Sequence, residues 1–172
     1  MLSAKLTEAL SKQVNAEYFS AYLYLSMSAA ADGMGFKGAA NWLFAQFQEE
    51  MAHGTNMFEY ILERGAMPAI EAIDKPQTEF ASLHEIFEMV LAHEQFVTSR
   101  INDIATLAMQ EHDHACYQFM LWYVNEQVEE EASATDVLDK LKLIGDNKGL
   151  LLGLDNELAA RVFVNPFPAE AN

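Results

Sequence analysis

The sequence predicts an all-α fold: four long helices in an antiparallel bundle, a long crossover between the second and third, and a short fifth helix near the C-terminal end. Three observations predict it. Glycine and proline are sparse, 8 and 4 in 172 residues, and they gather at a few places, so the segments between them are long. Apolar residues recur in those segments at near-heptad spacing, while the Asn-Gly turns and period-2 alternation of hairpins are missing. Each long segment has roughly 30 residues, or about 45 Å of helix, enough for four parallel rods of equal length.

The first helix runs from about Ser3 to Asp32 and is closed by Gly33 and Gly35. The second begins near Phe36 and stops at Gly65, with Pro68 just beyond. Glycine after a helix followed by proline is a stop signal, because glycine accepts φ > 0 and proline cannot extend the hydrogen-bond ladder. The stretch from Ala66 to Phe80 carries Pro68 and Pro76 and lacks helical periodicity; it is long enough to travel the length of a bundle. A third helix starts at the capping-box pattern Ser82-x-x-Glu85 and runs to about Gln110. A break at Glu111-His112-Asp113-His114 precedes the fourth, which ends near Ile144 and Gly145. The short connections make each helix pair antiparallel. Gly145 to Gly149 forms a turn, Leu150 to Phe163 a short fifth helix, and residues 164–172, with Pro166 and Pro168, an irregular tail. The whole chain reads as one domain, with the bundle at about 3–145.

Composition narrows the function. With 10 basic and 26 acidic residues the formal charge is −16, and the basic residues form no run that could neutralise several phosphates. Nucleic acid and anionic membrane surfaces are therefore not expected partners. Cys116 is the single cysteine, which excludes an internal disulfide and paired Cys-x-x-Cys metal ligands and fits a reducing compartment. No apolar stretch resembles a signal peptide or a membrane span, so a cytoplasmic location is expected.

The informative residues interrupt the apolar stripes. The inward stripe of the first helix reads Leu10, Val14, Glu17, Ala21, Tyr24, Ser28; that of the second, Leu43, Phe47, Glu50, Gly54, Met57, Ile61, with His53 one turn from Glu50. The third reads Phe87, Val90, Glu94, Val97, Ile101, Ile104, and the fourth Met120, Tyr123, Gln127, Glu130, Ala134, Val137, Leu141. Antiparallel helices of equal length bring their midpoints to one level, so Glu17, Glu50, Glu94 and Glu130 converge there with His53 and Gln127. Several carboxylates cannot share an apolar core without cations, because desolvation and mutual repulsion each cost several kcal/mol. A metal resolves the conflict. Carboxylates with one imidazole suit iron or manganese, or zinc in a smaller site, and five such ligands exceed the needs of one tetrahedral ion, which favours two metals bridged by Glu50.

On these residues the sequence resembles the bacterial non-haem ferritins of the ferritin-like di-iron superfamily. The resemblance is carried by Asn15-Ala16-Glu17, the block from Gln48 to His53, Glu94-Gln95 and the block from Leu121 to Glu131. It implies iron storage and detoxification in a hollow shell of about twenty-four subunits, with a ferroxidase centre in each that oxidises Fe(II) with dioxygen or peroxide and passes Fe(III) to a ferric oxyhydroxide mineral. Glu17, Glu50 and His53 then hold the first iron, Glu50, Glu94 and Glu130 the second, and Gln127 lies beside the second. Glu49, Glu126 and Glu129, with Glu130, match a third iron site. Tyr24 matches the tyrosine next to the centre, and Trp122 lies near it as a core aromatic. Met51 falls at the haem-ligating methionine of bacterioferritins, but these carry Glu-x-x-His in the fourth helix, where this chain has Gln127-x-x-Glu130; no haem is expected. Rubrerythrins are excluded by the absence of paired cysteines.

A competing reading treats the chain as a metal-independent helical structural or interaction protein, whose polar core residues merely set helix register. His84 and His93 read as surface residues, His93 because it projects about 100° away from Glu94. Glu131 reads as solvated.

Overall fold

The computed structural model describes residues 1–167. Helix α1, Ala4–Gly33, begins where the Ser3 hydroxyl accepts a hydrogen bond from the Leu6 N–H (3.1 Å) and ends where Gly35 takes φ +93°. Helix α2, Lys37–Glu63, has no cap of its own, since Phe36 offers no side-chain acceptor. Gly65, at φ +72°, closes it. Helix α3, Leu83–Gln110, starts with Ser82 Oγ accepting from the Glu85 N–H (3.1 Å) while the Glu85 carboxylate accepts from the Ala81 N–H (2.5 Å). Helix α4, His114–Ile144, is capped by Asp113 Oδ1 on the Cys116 N–H (2.9 Å). Helix α5, Lys148–Leu158, is capped by Asn147.

α1 packs chiefly on α2 and α3 on α4, while α5 sits against α2 and α4. The irregular segment between α2 and α3 is fixed along α1: Ala69 N–H donates to Ser11 Oγ (3.1 Å), Asn15 Nδ2 donates to Ala72 O (3.4 Å) and Ser26 Oγ donates to Gln77 O (2.6 Å). Eight residues of crossover thereby pass fifteen residues of helix, the ratio expected when extended chain runs beside a helix. This is the expected crossover bundle, all-α among the described residues. No helix here is long and apolar enough to cross a membrane.

The core is divided. One apolar cluster, around Tyr24, Met27, Leu43, Phe87 and Val137, fills the end near α5; a second, around Leu6, Leu10, Met57, Ile61, Ile101 and Met120, fills the other. Between them lies a layer of buried polar side chains. The predicted stripes are buried throughout, except that Ser28 and Phe47 are only half-buried.

Three expectations need correction. The fifth helix starts at Lys148 and ends at Leu158, short of Phe163, because Asn41 Nδ2 donates to the Ala159 and Arg161 carbonyls (3.3 and 2.8 Å) and draws the chain off the helix axis. His93 is half-buried: its turn away from Glu94 aims it at α1, where Nε2 lies 2.7 Å from Ser20 Oγ and the ring faces Phe19. Glu131 is also half-buried and accepts a hydrogen bond from Thr98 (2.6 Å). Residues 161–167 are irregular as expected; the rest of the predicted tail, 168–172, lies outside the described residues.

The missing cap of α2 comes from α5. Asp155 Oδ1 accepts from the Ala39 N–H (2.9 Å), and the approach is so close that a Cβ on Gly38 would lie 1.6 Å from the Asp155 carbonyl oxygen. Asp155→Ala is expected to cost about 1 kcal/mol through the lost cap, and Gly38→Ala about 1–3 kcal/mol through overpacking. Thermal unfolding measures both; an unchanged melting temperature for Gly38→Ala would show that α5 does not rest on α2.

Candidate metal centre

The polar layer is built one turn at a time. α1 contributes Glu17, α2 Glu50 and His53, α3 Glu94, and α4 Gln127 and Glu130, all between 0 and 6% exposed. Glu17, Glu50 and His53 each direct a ligand atom into one group whose members lie within 4.8 Å of one another. His53 Nδ1 stands 3.8 Å from Glu50 Oε2. Two atoms of this group, Glu50 Oε2 and His53 Nε2, are buried without a hydrogen-bond partner. Orphaned buried polar atoms of this kind are rare and costly, and here both are good ligands for a divalent cation.

Glu94 and Glu130 complete the layer on the other pair of helices. Tyr24 Oη donates to Glu94 Oε1, and Gln127 Nε2 donates to Glu94 Oε2 (3.1 Å) and to the Glu94 carbonyl (3.2 Å). Tyr24 and Gln127 therefore both stand beside the same carboxylate. Two glutamines that the stripe reading missed hold two of the remaining acids, Glu17 and Glu130. Gln13 donates from Nε2 to Glu17 Oε1 (2.9 Å) and accepts at Oε1 from Arg100 Nε (2.8 Å); Gln46 donates from Nε2 to Glu130 Oε2 (2.6 Å). Both are fully buried. Each precedes a proposed ligand of its own helix by one turn, Gln13 before Glu17 and Gln46 before Glu50, and that i, i+4 spacing was a readable signal.

A ferritin-like domain model matches residues 7–144, which covers nearly all of α1 to α4. The chain belongs to the ferritin family. It is 42% identical to a probable bacterial non-heme ferritin-like protein of Haemophilus influenzae over 92% of its length and 96% of that protein's. It is 41% identical to a bacterial non-heme ferritin of Staphylococcus saprophyticus, covering 95% of this chain and 98% of the other. Among solved structures, an open-pore ferritin from the hyperthermophilic archaeon Archaeoglobus fulgidus superposes with a TM-score of 0.92 at 50% identity over 94% of this chain and 98% of that one. A form of the Archaeoglobus fulgidus ferritin engineered to be closed gives a TM-score of 0.93 at 49% identity, over 95% and 100%.

No lysine or arginine among the described residues is buried beside the acids of the layer, and three of them, Glu50, Glu94 and Glu130, are held toward their protonated forms. Burial, reinforced by the Glu17 and Glu94 charges, pushes the Glu50 carboxyl well above the usual carboxylate range. Burial raises Glu94 to about 7 against the hydrogen bonds from Tyr24 and Gln127, and raises Glu130 to about 8 with help from the Glu94 charge.

The residues matched to a third site are placed differently. Glu49 is paired with Arg161, Glu126 is half-buried and Glu129 is exposed. Together with Glu130 they do not form a group with all ligand atoms within 4.8 Å, and neither do Glu50, Glu94 and Glu130; among the described residues that distance is met by Glu17, Glu50 and His53. Trp122 lies edge-on to His53 at 5.4 Å between ring centres, and the Tyr123 hydroxyl donates to the His53 carbonyl (3.0 Å).

Two outcomes are expected. Gln13→Leu and Gln46→Leu should each weaken Zn(II) or Co(II) binding by about 10–100-fold while leaving the helix content unchanged; equal affinity in isothermal titration would remove these amides from the site. The second concerns pH. Glu94 and Glu130 have folded values above the 4.5 of a free carboxyl, so the stability they contribute is complete below that value and is lost as pH rises through about 7 and about 8. The metal-free protein should lose melting temperature over that range more steeply than the Zn(II)-loaded protein, because the metal replaces the protons it releases. Parallel pH curves would contradict this.

Proposed function

We propose that this chain stores and detoxifies iron, oxidising Fe(II) to Fe(III) with dioxygen or peroxide at an intrasubunit two-iron centre and depositing ferric oxyhydroxide inside a hollow cytoplasmic shell of about twenty-four copies. Membership of the ferritin family supports iron storage and ferroxidase activity in general. The observation that carries the reading to particular residues is the pair of orphaned ligand atoms, Glu50 Oε2 and His53 Nε2, buried beside Glu17. A polar layer that only set helix register would have its atoms paired with one another, so the metal-independent reading is not favoured.

In this reading Glu17, Glu50 and His53 take one Fe(II), and Glu50, Glu94 and Glu130 take the second, with Gln127 beside it. Glu94 and Glu130 surrender their protons as metal enters. Oxygen-rich ligands stabilise the harder Fe(III) more than Fe(II), which drives oxidation. Each Fe(II) gives one electron; dioxygen takes the pair with two protons and leaves as hydrogen peroxide, or peroxide takes the pair with two protons and leaves as two waters. Tyr24 holds the Glu94 carboxylate by its hydrogen bond, while Trp122 and Tyr123 flank the His53 ring. Glu49, Glu126 and Glu129, with Glu130, receive a third iron on the way out.

Aerobic Fe(II) oxidation, followed by ferric absorbance and oxygen uptake, tests the assignment. Glu50→Ala and His53→Ala should slow the rapid phase by more than the roughly 10–100-fold that loss of an outer-shell partner costs, whereas the exposed Glu79→Ala leaves it intact. Glu50→Ala should not lower the melting temperature of the metal-free protein, since it removes a buried, unpaired carboxyl. An unsubstituted protein that oxidises Fe(II) no faster than buffer would sink the proposal, and a monomer in size-exclusion chromatography would contradict the shell.

A further inference from the structure

The segment after α5 folds back over the centre. Along residues 161–164 its side chains alternate: Arg161 and Phe163 are half-buried, while Val162 and Val164 are 77% and 73% exposed. That is the alternation of extended chain lying on a surface. Both ends are fastened. At the first, Asn41 Nδ2 holds the Ala159 and Arg161 carbonyls, and the Arg161 guanidinium lies 4.5 Å from the centre of the Trp42 ring and donates through Nη2 to Glu49 Oε2. At the second, the Phe167 ring packs 4.4 Å from Trp122 and edge-on to His53 at 6.2 Å, and it shares a surface cavity with Thr55 and Asn56. The lengths agree, since α2 rises about 21 Å from Trp42 to Asn56 and six extended residues span about 20 Å.

We propose that residues 161–167 form a strap across the α2/α4 face of the metal centre, in which Arg161 is a positioning residue that holds Glu49 away from metal. The inference rests on the proposed function in taking Glu49 as an acceptor of outgoing metal and iron as the cation that passes. A guanidinium stays charged at every working pH, so a cation can gain Glu49 only by displacing it. The pair is largely shielded, with side chains 17% and 21% exposed, and the Trp42 face adds to its hold. Glu17, Glu50, Glu94 and Glu130 make no hydrogen bond to the strap. The centre therefore loses no hydrogen bond when Arg161 is replaced, while onward transfer toward Glu49 and Glu126 requires the guanidinium to let go.

The test uses the full-length protein and three variants: Arg161→Gln, Arg161→Gln with Glu49→Gln, and Phe167→Ala. Zn(II) titration reads the number of ions bound per chain; two successive Fe(II) pulses in stopped flow read the first burst and its recovery. Arg161→Gln should bind additional Zn(II) that the double variant loses again, keep the first burst, and recover the second about fivefold faster, the scale of a partly screened ion pair. Phe167→Ala should speed recovery without adding a Zn(II) equivalent. An Arg161→Gln protein with the same Zn(II) count and recovery time as its parent overturns the proposal. A melting temperature that falls with no added binding shows a merely structural role and overturns it equally. Absence of any Fe(II) burst in the parent, together with the added Zn(II) equivalent in Arg161→Gln, would defeat the iron reading and leave the Arg161 assignment supported.

Discussion

Four glutamates and a histidine share one buried layer, and no lysine or arginine of the described residues is buried with them. In a medium of low dielectric that arrangement cannot be filled with charge, so the acids must keep protons or take cations. The surrounding structure is consistent with this constraint. The two apolar clusters flank the layer on either side and touch it through Tyr24 and Tyr123, so the fold's stability is drawn from its ends and its chemistry from its waist. Every amide that reaches the layer does so as a donor. Gln13, Gln46 and Gln127 each offer an N–H to a carboxylate, and Gln13 is fixed in that orientation because Arg100, which can only donate, claims its oxygen. Such amides steady carboxylates without neutralising them, which keeps the layer poised for a cation.

Much of this was legible in the sequence. The four stripes could be read because a helix of fixed period places Glu17, Glu50, Glu94 and Glu130 on the same faces as Leu10, Met57, Val97 and Val137, and burial follows the face. The crossover could be read from Pro68 and Pro76 and from the lack of periodicity between them. Gln13 and Gln46 carried a signal, their i, i+4 spacing, but glutamine at such a position is also an ordinary surface residue, so only the packing decides. His93 went astray for a related reason: its phase relative to Glu94 was right, yet the direction away from Glu94 leads to α1 and not to water. Phase within one helix says nothing about what the neighbouring helix covers.

The strap and the early end of the fifth helix were not legible, and the physical reason is sequence distance. Asn41 ends α5 and holds Arg161, and Glu49 pairs with Arg161 across 112 residues. Nothing local in Ala159-Ala160-Arg161 stops a helix. Its end is dictated from α2, and pattern reading has no access to a partner so remote.

The capping of α2 by Asp155 bears on how the chain comes to be folded while it is made. Synthesis proceeds from the N-terminus, so α1 to α4 are made before the residue that completes the first turn of α2 exists. Until Asp155 arrives, 116 positions after the amide it serves, the Ala39 N–H stays without that partner and the end of the core near Leu43 stays open. The docking of α5 is therefore a closing step in assembly of the subunit, and nascent chains halted before it should remain the most vulnerable to proteases at the start of α2.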